Sequence, residues 1–401
     1  MSRLDELIRE LCPDGVEYKN VGEVCEILRG KRLTKSQLLE NGKYPVLHGG
    51  LSPLGYYDKY NRKANTTIVV NTGNAGSVYY YDKTFWSSDA CFSLYPNENV
   101  LDRFLFYCVS SKEDIIKSKV RSGAMPTIDS SAVGNLVIPV PPLPVQREIV
   151  RILDNFTELT AELTAELNKR QKQYEYYRDL LLTFNRADET VLTDRQTDLI
   201  WISLSDLVYT RNGYTPSKDH TVYWTNGSVP WFRMEDIREN GRILSDAIQK
   251  VSESAVKGQP FPQNSIIVAT SATIGEHALI TVPSLANQRF TYLMLKEEYK
   301  ELVNMKFIYY YCFKLDDYCK ENLNQGNFAS VDMKKFAKFI FPIPSLEVQR
   351  RIVSILDHFD ALCNDLTSGL PAEIEARQKQ YEYYRDKLLT FKPKEAAGAS
   401  D

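Results

Sequence analysis

The chain of 401 residues contains no uninterrupted run of about 18 apolar residues, the length a helix needs to cross a bilayer, so a helical membrane protein is excluded. Metal-ligating residues are sparse. Four histidines are dispersed (His48, His220, His277, His358), and seven cysteines, an odd number, show no CxxC spacing, which argues against a structural zinc site and against a disulfide framework. Phosphate-wrapping Gly-x4-Gly-Lys-Ser/Thr is absent, so the chain is no P-loop ATPase. The Asn/Asp-Pro-Pro-Tyr/Phe grip on a flipped adenine is missing too: Pro141-Pro142, the one Pro-Pro pair, stands between Val140 and Leu143. Pro13-Asp14 with Glu17-Tyr18-Lys19 is too tightly spaced to seat two carboxylates around Mg²⁺, and reads as a turn. Leu4, Leu7, Ile8 and Leu11 make an amphipathic pattern among acidic residues, unlike a signal peptide, and a cytoplasmic location is expected.

Hydrophobic residues at 43% and charged residues at 25% are ordinary globular usage, which rules out wholesale disorder. Net charge is −3, against the basic excess usual in nucleic-acid binders. The average conceals a local reversal, because Glu26 to Lys63 carries eight basic against three acidic side chains and could face phosphate.

The dominant feature is internal repetition. RQKQYEYYRDLLLTF (170–184) recurs as RQKQYEYYRDKLLTF (377–391), differing at one position, Leu180/Lys387. Upstream, LPVQREIVRILDNF (143–156) corresponds to LEVQRRIVSILDHF (346–359), each following a proline-rich strand exit. The offset grows from 203 (143 to 346) to 207 (170 to 377), so the second copy holds four extra residues. In the first copy Ile149, Leu153, Phe156, Leu163, Leu167, Tyr174 and Tyr177 belong to a 4-3-4-3 seam of a coiled-coil helix. The second seam runs through Ile352, Leu356, Phe359, Leu366, Leu370, Tyr381 and Tyr384, with two consecutive fours at Leu370. Gly369 and Pro371 predict a break or kink there. A helix of about 40 residues is about 60 Å long, the length of a strut.

Between the helices the pattern turns to short β runs: Thr67–Val70, Ser77–Tyr81 and Leu136–Val140, then Ser265–Ala269, Thr291–Leu295 and Lys338–Phe341. The expected fold is α+β, with two α/β domains separated by two long antiparallel coiled-coil helices in a pseudo-twofold repeat. Its segments are a first domain with a short N-terminal helix (1–142), helix 1 (143–184), a polar connection (185–199), a second domain (200–341), helix 2 (342–391) and a frayed tail (392–401). The two domains are weakly related: VGEVCEILRGKRLTK (21–35) lines up with LSDLVYTRNGYTPSK (204–218), and Phe104–Cys108 with Phe307–Cys312 across one gap. A pseudo-twofold chain suits a pseudo-twofold target, and duplex DNA repeats every 34–36 Å.

This order of variable domain, PVQREIVRILDNF helix, second variable domain and EVQRRIVSILDHF helix ending in RQKQYEYYRD resembles the specificity (S) subunit of type I restriction–modification enzymes over essentially the whole chain. The tandem TAELTAEL (160–167) is similar to the IC branch. The resemblance implies a noncatalytic subunit whose two target recognition domains bind the halves of a split, asymmetric site on double-stranded DNA. It also implies helices that hold the spacing and dock two modification subunits, which bring S-adenosylmethionine to methylate adenine. Two restriction subunits, using ATP and Mg²⁺, would complete the complex, and this chain would bind no cofactor itself. The rival reading is a coiled-coil adaptor that does not read DNA.

Candidate DNA contacts combine forked donors, amides and hydroxyls beside glycines. Arg29, Lys31, Arg32 and Lys35 form one cluster, matched by Arg211, Asn212, Thr215 and Lys218. Lys117, Lys119, Arg121 and Ser122, matched by Lys320, Asn322, Asn324 and Gln325, lie before small-residue turns at Gly123 and Gly326. Asn71–Gly76 could cradle phosphate but lacks the helix that a GxGxxG loop needs, and reads as a β-turn. Tyr174, Tyr177, Tyr381 and Tyr384 are expected in the seam, with Tyr176 and Tyr383 pointing off it. No histidine is assigned to metal.

Overall fold

The computed structural model describes residues 2–184, 199–324, 329–365 and 368–394. It divides into two compact units, one of residues 1–162 with 375–401, the other of residues 163–374. Each unit therefore holds one globular domain, the start of one repeat helix and the end of the other, so head meets tail in both. This is the antiparallel arrangement expected from the repeat.

In the first unit, Ser2 caps a helix Arg3–Leu11 through a capping box with Asp5. The domain is entered by Tyr18–Asn20 and left by Val137–Pro139, which pair antiparallel and close it at its base. A four-stranded antiparallel sheet follows in the order Cys25–Arg29, Cys91–Pro96, Thr66–Val70, Val78–Tyr81. All five residues of Thr66–Val70 are buried, which explains why this central strand reads as a continuous apolar run rather than an alternation. A smaller sheet pairs Tyr44–Leu47 antiparallel to Pro53–Tyr57 and parallel to Trp86–Ser87. Val69, Leu94, Phe104 and Leu105 share one core with Val145, Ile149 and Leu153 of the first repeat helix.

The second unit repeats the plan. Ile200–Ser203 pairs with Ile340–Ile343 at the base. The larger sheet runs Val208–Asn212, Phe290–Leu295, Ser265–Ala269, His277–Ile280, with a fifth strand, Ile243–Leu244, added parallel at its edge. The smaller sheet joins Val229–Phe232 to Lys250–Val251 and Leu285–Ala286. Its core unites Phe307, Ile308 and Leu315 with Ile352 and Leu356 of the second repeat. The weak alignment of 21–35 with 204–218 holds in three dimensions: Val21–Val24 and Leu204–Leu207 are each one helical turn leading into the edge strand.

The first repeat is a continuous helix, Leu143–Leu181. The second is not one helix over 342–391 but two, Leu346–Asn364 and Leu370–Leu388. The interruption falls where Gly369 and Pro371 stand, with Pro371 in the first turn of the later helix, where its missing N–H costs nothing. The seam needs a correction. Ile149, Leu153, Ile352 and Leu356 are at most 1% exposed and Tyr174 is buried, whereas Tyr177 and Tyr384 are 37% and 36% exposed. Tyr177 stacks on Phe359 and Tyr384 on Phe156, and each also meets its exposed neighbour, Tyr176 or Tyr383, edge to face. Leu163, Leu167 and Leu370 are half-buried, Leu167 at the margin of the second unit's core. Leu366 lies outside the described residues. Tyr176 and Tyr383 are exposed, as their position off the seam requires. The start of the tail is not frayed, since Lys392 and Lys394 bond through backbone to Val16, and 395–401 lie outside the described residues. Finally, Arg103/Lys306 and Tyr107/Tyr310 occupy matching places at a constant offset of 203, so Phe104–Tyr107 aligns with Phe307–Tyr310 without the gap that the cysteines suggest.

Candidate nucleic-acid interface

Both domains build the same exposed corner from three separated segments. The first is the end of the edge strand, Arg29 and Asn212, each followed by a glycine whose N–H bonds across the sheet: Gly30 to Cys91 and Gly213 to Phe290. A side chain at either glycine would press on backbone oxygens, those of Ser87 and Ser88 or of Ala286 and Asn287, so the close approach requires glycine. The second segment is the turn after the central strand. Gly73 and Gly76 have φ of 87° and 92°, left-handed values that suit glycine in a hairpin, and Ala272 and Gly275 occupy the matching places at 66° and 87°.

The third segment is the loop after the domain helix. Gly73 donates its N–H to Pro126 and Ile128 to Asn71; Ala272 donates to Ala329 and Val331 to Thr270. The loop is closed on itself by Arg121–Thr127 and Asn324–Ser330 backbone bonds. The turn is therefore more than a link between strands, because it is the shelf on which the loop rests.

In the first domain Arg29 lines one cleft with Asn71, Thr72, Thr127, Asp129 and Ser130. Arg29 gives its Nε–H to the Asp89 carbonyl at 3.0 Å, and Arg121 pairs with Asp129. Lys119 is exposed nearby. Lys117 is bound to Glu113 at 2.7 Å, a bond that raises its pKa and keeps its charge committed locally. Lys31, Arg32 and Lys35 lie apart from that cleft, exposed beside the smaller sheet, where the Lys31 backbone carbonyl accepts the Trp86 indole N–H and Lys35 opens a short 3₁₀ turn. The sequence cluster 29–35 is thus divided between two places.

In the second domain Arg211 lies over the Phe261 ring at 5.2 Å, and the Asn212 Oδ1 accepts the Thr291 hydroxyl at 2.9 Å. Thr215 is bonded to Gln288. Lys218 borders a groove with Trp224, Trp231, Arg233 and Gln249, four residues that sequence reasoning missed. The Trp224 and Trp231 rings meet edge to face at 5.0 Å, and the buried Arg233 Nε makes no hydrogen bond, lying 3.9 Å from the Glu235 carboxylate. Asn324 is exposed in the loop, and Gln325 lies outside the described residues. Thr127 was also missed, and Asn71 and Thr72 were read only as part of a β-turn. Their signal is long-range pairing between turn and loop, which no local motif carries. No group of three or more His, Cys, Asp or Glu is placed to hold a metal among the described residues. No described helix is long and apolar enough to cross a membrane.

Residues 13–172 and 201–376 match the family of the type I restriction modification DNA specificity domain. This chain belongs to that family. The specificity-domain chain is 56% identical over 206 residues to the EcoprrI specificity subunit of Escherichia coli, a match covering 49% of this chain and 51% of that one. It is 42% identical over 259 residues to the EcoR124I/EcoR124II specificity subunit of E. coli, covering 62% and 60%. The matches thus take in between half and two thirds of these curated relatives. A putative specificity subunit of Haemophilus influenzae is 29% identical over 395 residues, 94% of this chain and 96% of that one. Among solved structures, the S subunit of a type I restriction–modification system from M. genitalium superposes with a TM-score of 0.60 at 18% identity, over 94% and 96% of the chains. A chain from a study of type I complex assembly gives 0.57 at 17%, over 94% and 97%. Both show the same fold.

Proposed function

We infer that this chain is the noncatalytic DNA-specificity subunit of a type I restriction–modification complex. Its two domains each read one half of a split, asymmetric site, through the corner built from strand end, turn and loop. The observation that carries this reading is the recurrence of that corner, with exposed Arg, Lys and Asn side chains, in two domains whose sequences have otherwise diverged. Arg and Asn supply bidentate donors to base edges and Lys holds phosphate. The helices keep the gap between half-sites and dock two modification subunits, which bring S-adenosylmethionine and methylate adenine. Two restriction subunits bring ATP and Mg²⁺, and the assembly works in the cytoplasm.

The test is to express the chain with its modification subunit and sequence the methylated sites, then repeat with residues 200–341 exchanged for those of a relative. One bipartite motif, with a single half altered by the exchange, is expected. Salt-dependent duplex binding by the same complex separates this reading from a coiled-coil adaptor, because phosphate contacts make log affinity fall with log salt. Binding that ignores salt, or no methylated motif at all, favours the adaptor.

A further inference from the structure

The recognition domains diverge, yet the polar contacts that seat each on its helix do not. At the start of the first repeat, Gln146 is fully buried and uses its whole amide. Its Nε2 donates to the carbonyls of Asn99 and Pro141, both at 2.7 Å, and its Oε1 accepts the Leu101 N–H at 2.9 Å. Gln349, equally buried, does the same 203 positions later, donating to Leu302 at 2.9 Å and Pro344 at 2.7 Å and accepting from Asn304 at 2.8 Å. Eight residues along the helix comes a second contact. Asp154 accepts the Tyr107 hydroxyl at 2.5 Å and the Arg103 Nε–H at 2.8 Å. Asp357 accepts Tyr310 at 2.6 Å and Lys306 at 2.7 Å.

The apolar core that domain and helix share is non-directional, and with a single polar attachment it would leave the domain some swing in pitch. Two attachments about 12 Å apart along a helix, at ~1.5 Å per residue, define a line and remove that swing. The chemistry of the pair also explains how two domains of diverged sequence share one mounting. Each glutamine bonds to backbone groups, which every sequence offers, and only a tyrosine and a cation are demanded of the domain's side chains. The cation itself is Arg in one copy and Lys in the other.

We propose that Asp154 with Gln146, and Asp357 with Gln349, are positioning residues that fix the pitch of each recognition domain on its helix and thereby set how sharply the complex discriminates the gap between half-sites. The proposal rests on the split-site reading above. A looser joint lets the domain reach half-sites at a neighbouring spacing, so selectivity for the gap falls while reading of each half-site is kept.

The experiment uses the full chain with its modification subunit, measuring methyl transfer to duplexes that carry the native gap or one base pair more or fewer. Asp154→Asn, Tyr107→Phe and Asp357→Asn are expected to keep native-gap methylation within about threefold while the native-to-altered ratio falls about tenfold, the scale of one charge-assisted hydrogen bond. Arg103→Lys, which copies the other repeat, should retain the wild-type ratio. Tyr107→Phe preserves shape and serves where an aspartate variant does not fold. An unchanged ratio in a variant whose melting temperature drops would overturn the proposal, leaving these contacts to stability alone. Wild-type complex that methylates no split site would instead overturn the functional reading.

Discussion

Deleting Thr164–Leu167 from the tandem TAELTAEL is the most direct probe of the helix as a ruler. The deletion falls inside the continuous helix Leu143–Leu181, at the point where the two units divide, between Glu162 and Leu163. Four residues at ~1.5 Å shorten the helix by about 6 Å, and at 3.6 residues per turn they rotate it by about 40°. Against a rise of ~3.4 Å per base step, that is one to two steps of DNA. The cost in folding is small. Thr164 and Ala165 are exposed and Leu167 is half-buried, so the buried area removed corresponds to no more than about 2 kcal/mol. The Glu166–Arg170 pair, 38% exposed on each side, contributes under about 1 kcal/mol. None of the fully buried core residues lies in the deleted stretch, and half-buried Leu167 is its one contact with the second unit's core. Sequencing of methylated sites in a strain carrying the shortened chain should therefore return both half-site motifs unaltered, with a shorter gap, and a third TAEL should lengthen it. An unchanged gap, or changed letters within a half-site, refutes the ruler.

Replacing Lys31, Arg32 and Lys35 together by alanine should weaken duplex binding for all sequences alike and lower the salt slope by ~0.9 for each phosphate that is no longer neutralised; weakening confined to one sequence would mean that these side chains read bases. Gly213→Ala drives a Cβ into the Ala286 and Asn287 carbonyls and should cost on the order of 4 kcal/mol in chemical denaturation, against about 1 kcal/mol if the sheet can yield. Burial, helped by the neighbouring Asp357 charge and opposed by the Asn364 amide, raises the Asp360 pKa above 3.8. A raised acid leaves stability intact below pH 3.8 and removes it as pH climbs through the folded value, so Asp360→Asn should raise the melting temperature at pH 7 and do little at pH 3.5; equal gains at both pH values would contradict this.

The helices were readable because their period repeats the physics of burial: a residue every three or four positions must face a partner, and Ile149, Leu153, Ile352 and Leu356 do. The same logic overreached at Tyr177 and Tyr384, since periodicity reports which face is turned inward but not whether anything lies there to cover it. Central strands such as Ser265–Ala269 announced themselves by unbroken apolar runs. The two-residue edge strand Ile243–Leu244 is too short to carry any pattern. The corner of the candidate interface was half visible: Arg29, Arg121 and Asn324 stood out by type, while Asn71 and Thr127 matter through backbone pairs between segments far apart in sequence.

Gln146 and Gln349 stood in plain sight within PVQRE and EVQRR, yet what they bind left no trace in the sequence, because backbone carbonyls have no residue type. That blindness has a functional counterpart. A latch that reads backbone imposes almost nothing on the sequence it holds, so the residues from Asn99 to Leu101 and from Leu302 to Asn304 can differ completely and be gripped alike. Divergent domains on near-identical struts are the expected consequence: a domain's sequence can change without re-engineering how it is mounted. Where a mount does demand side chains, at Tyr107 and Tyr310, the two copies have kept the same residue.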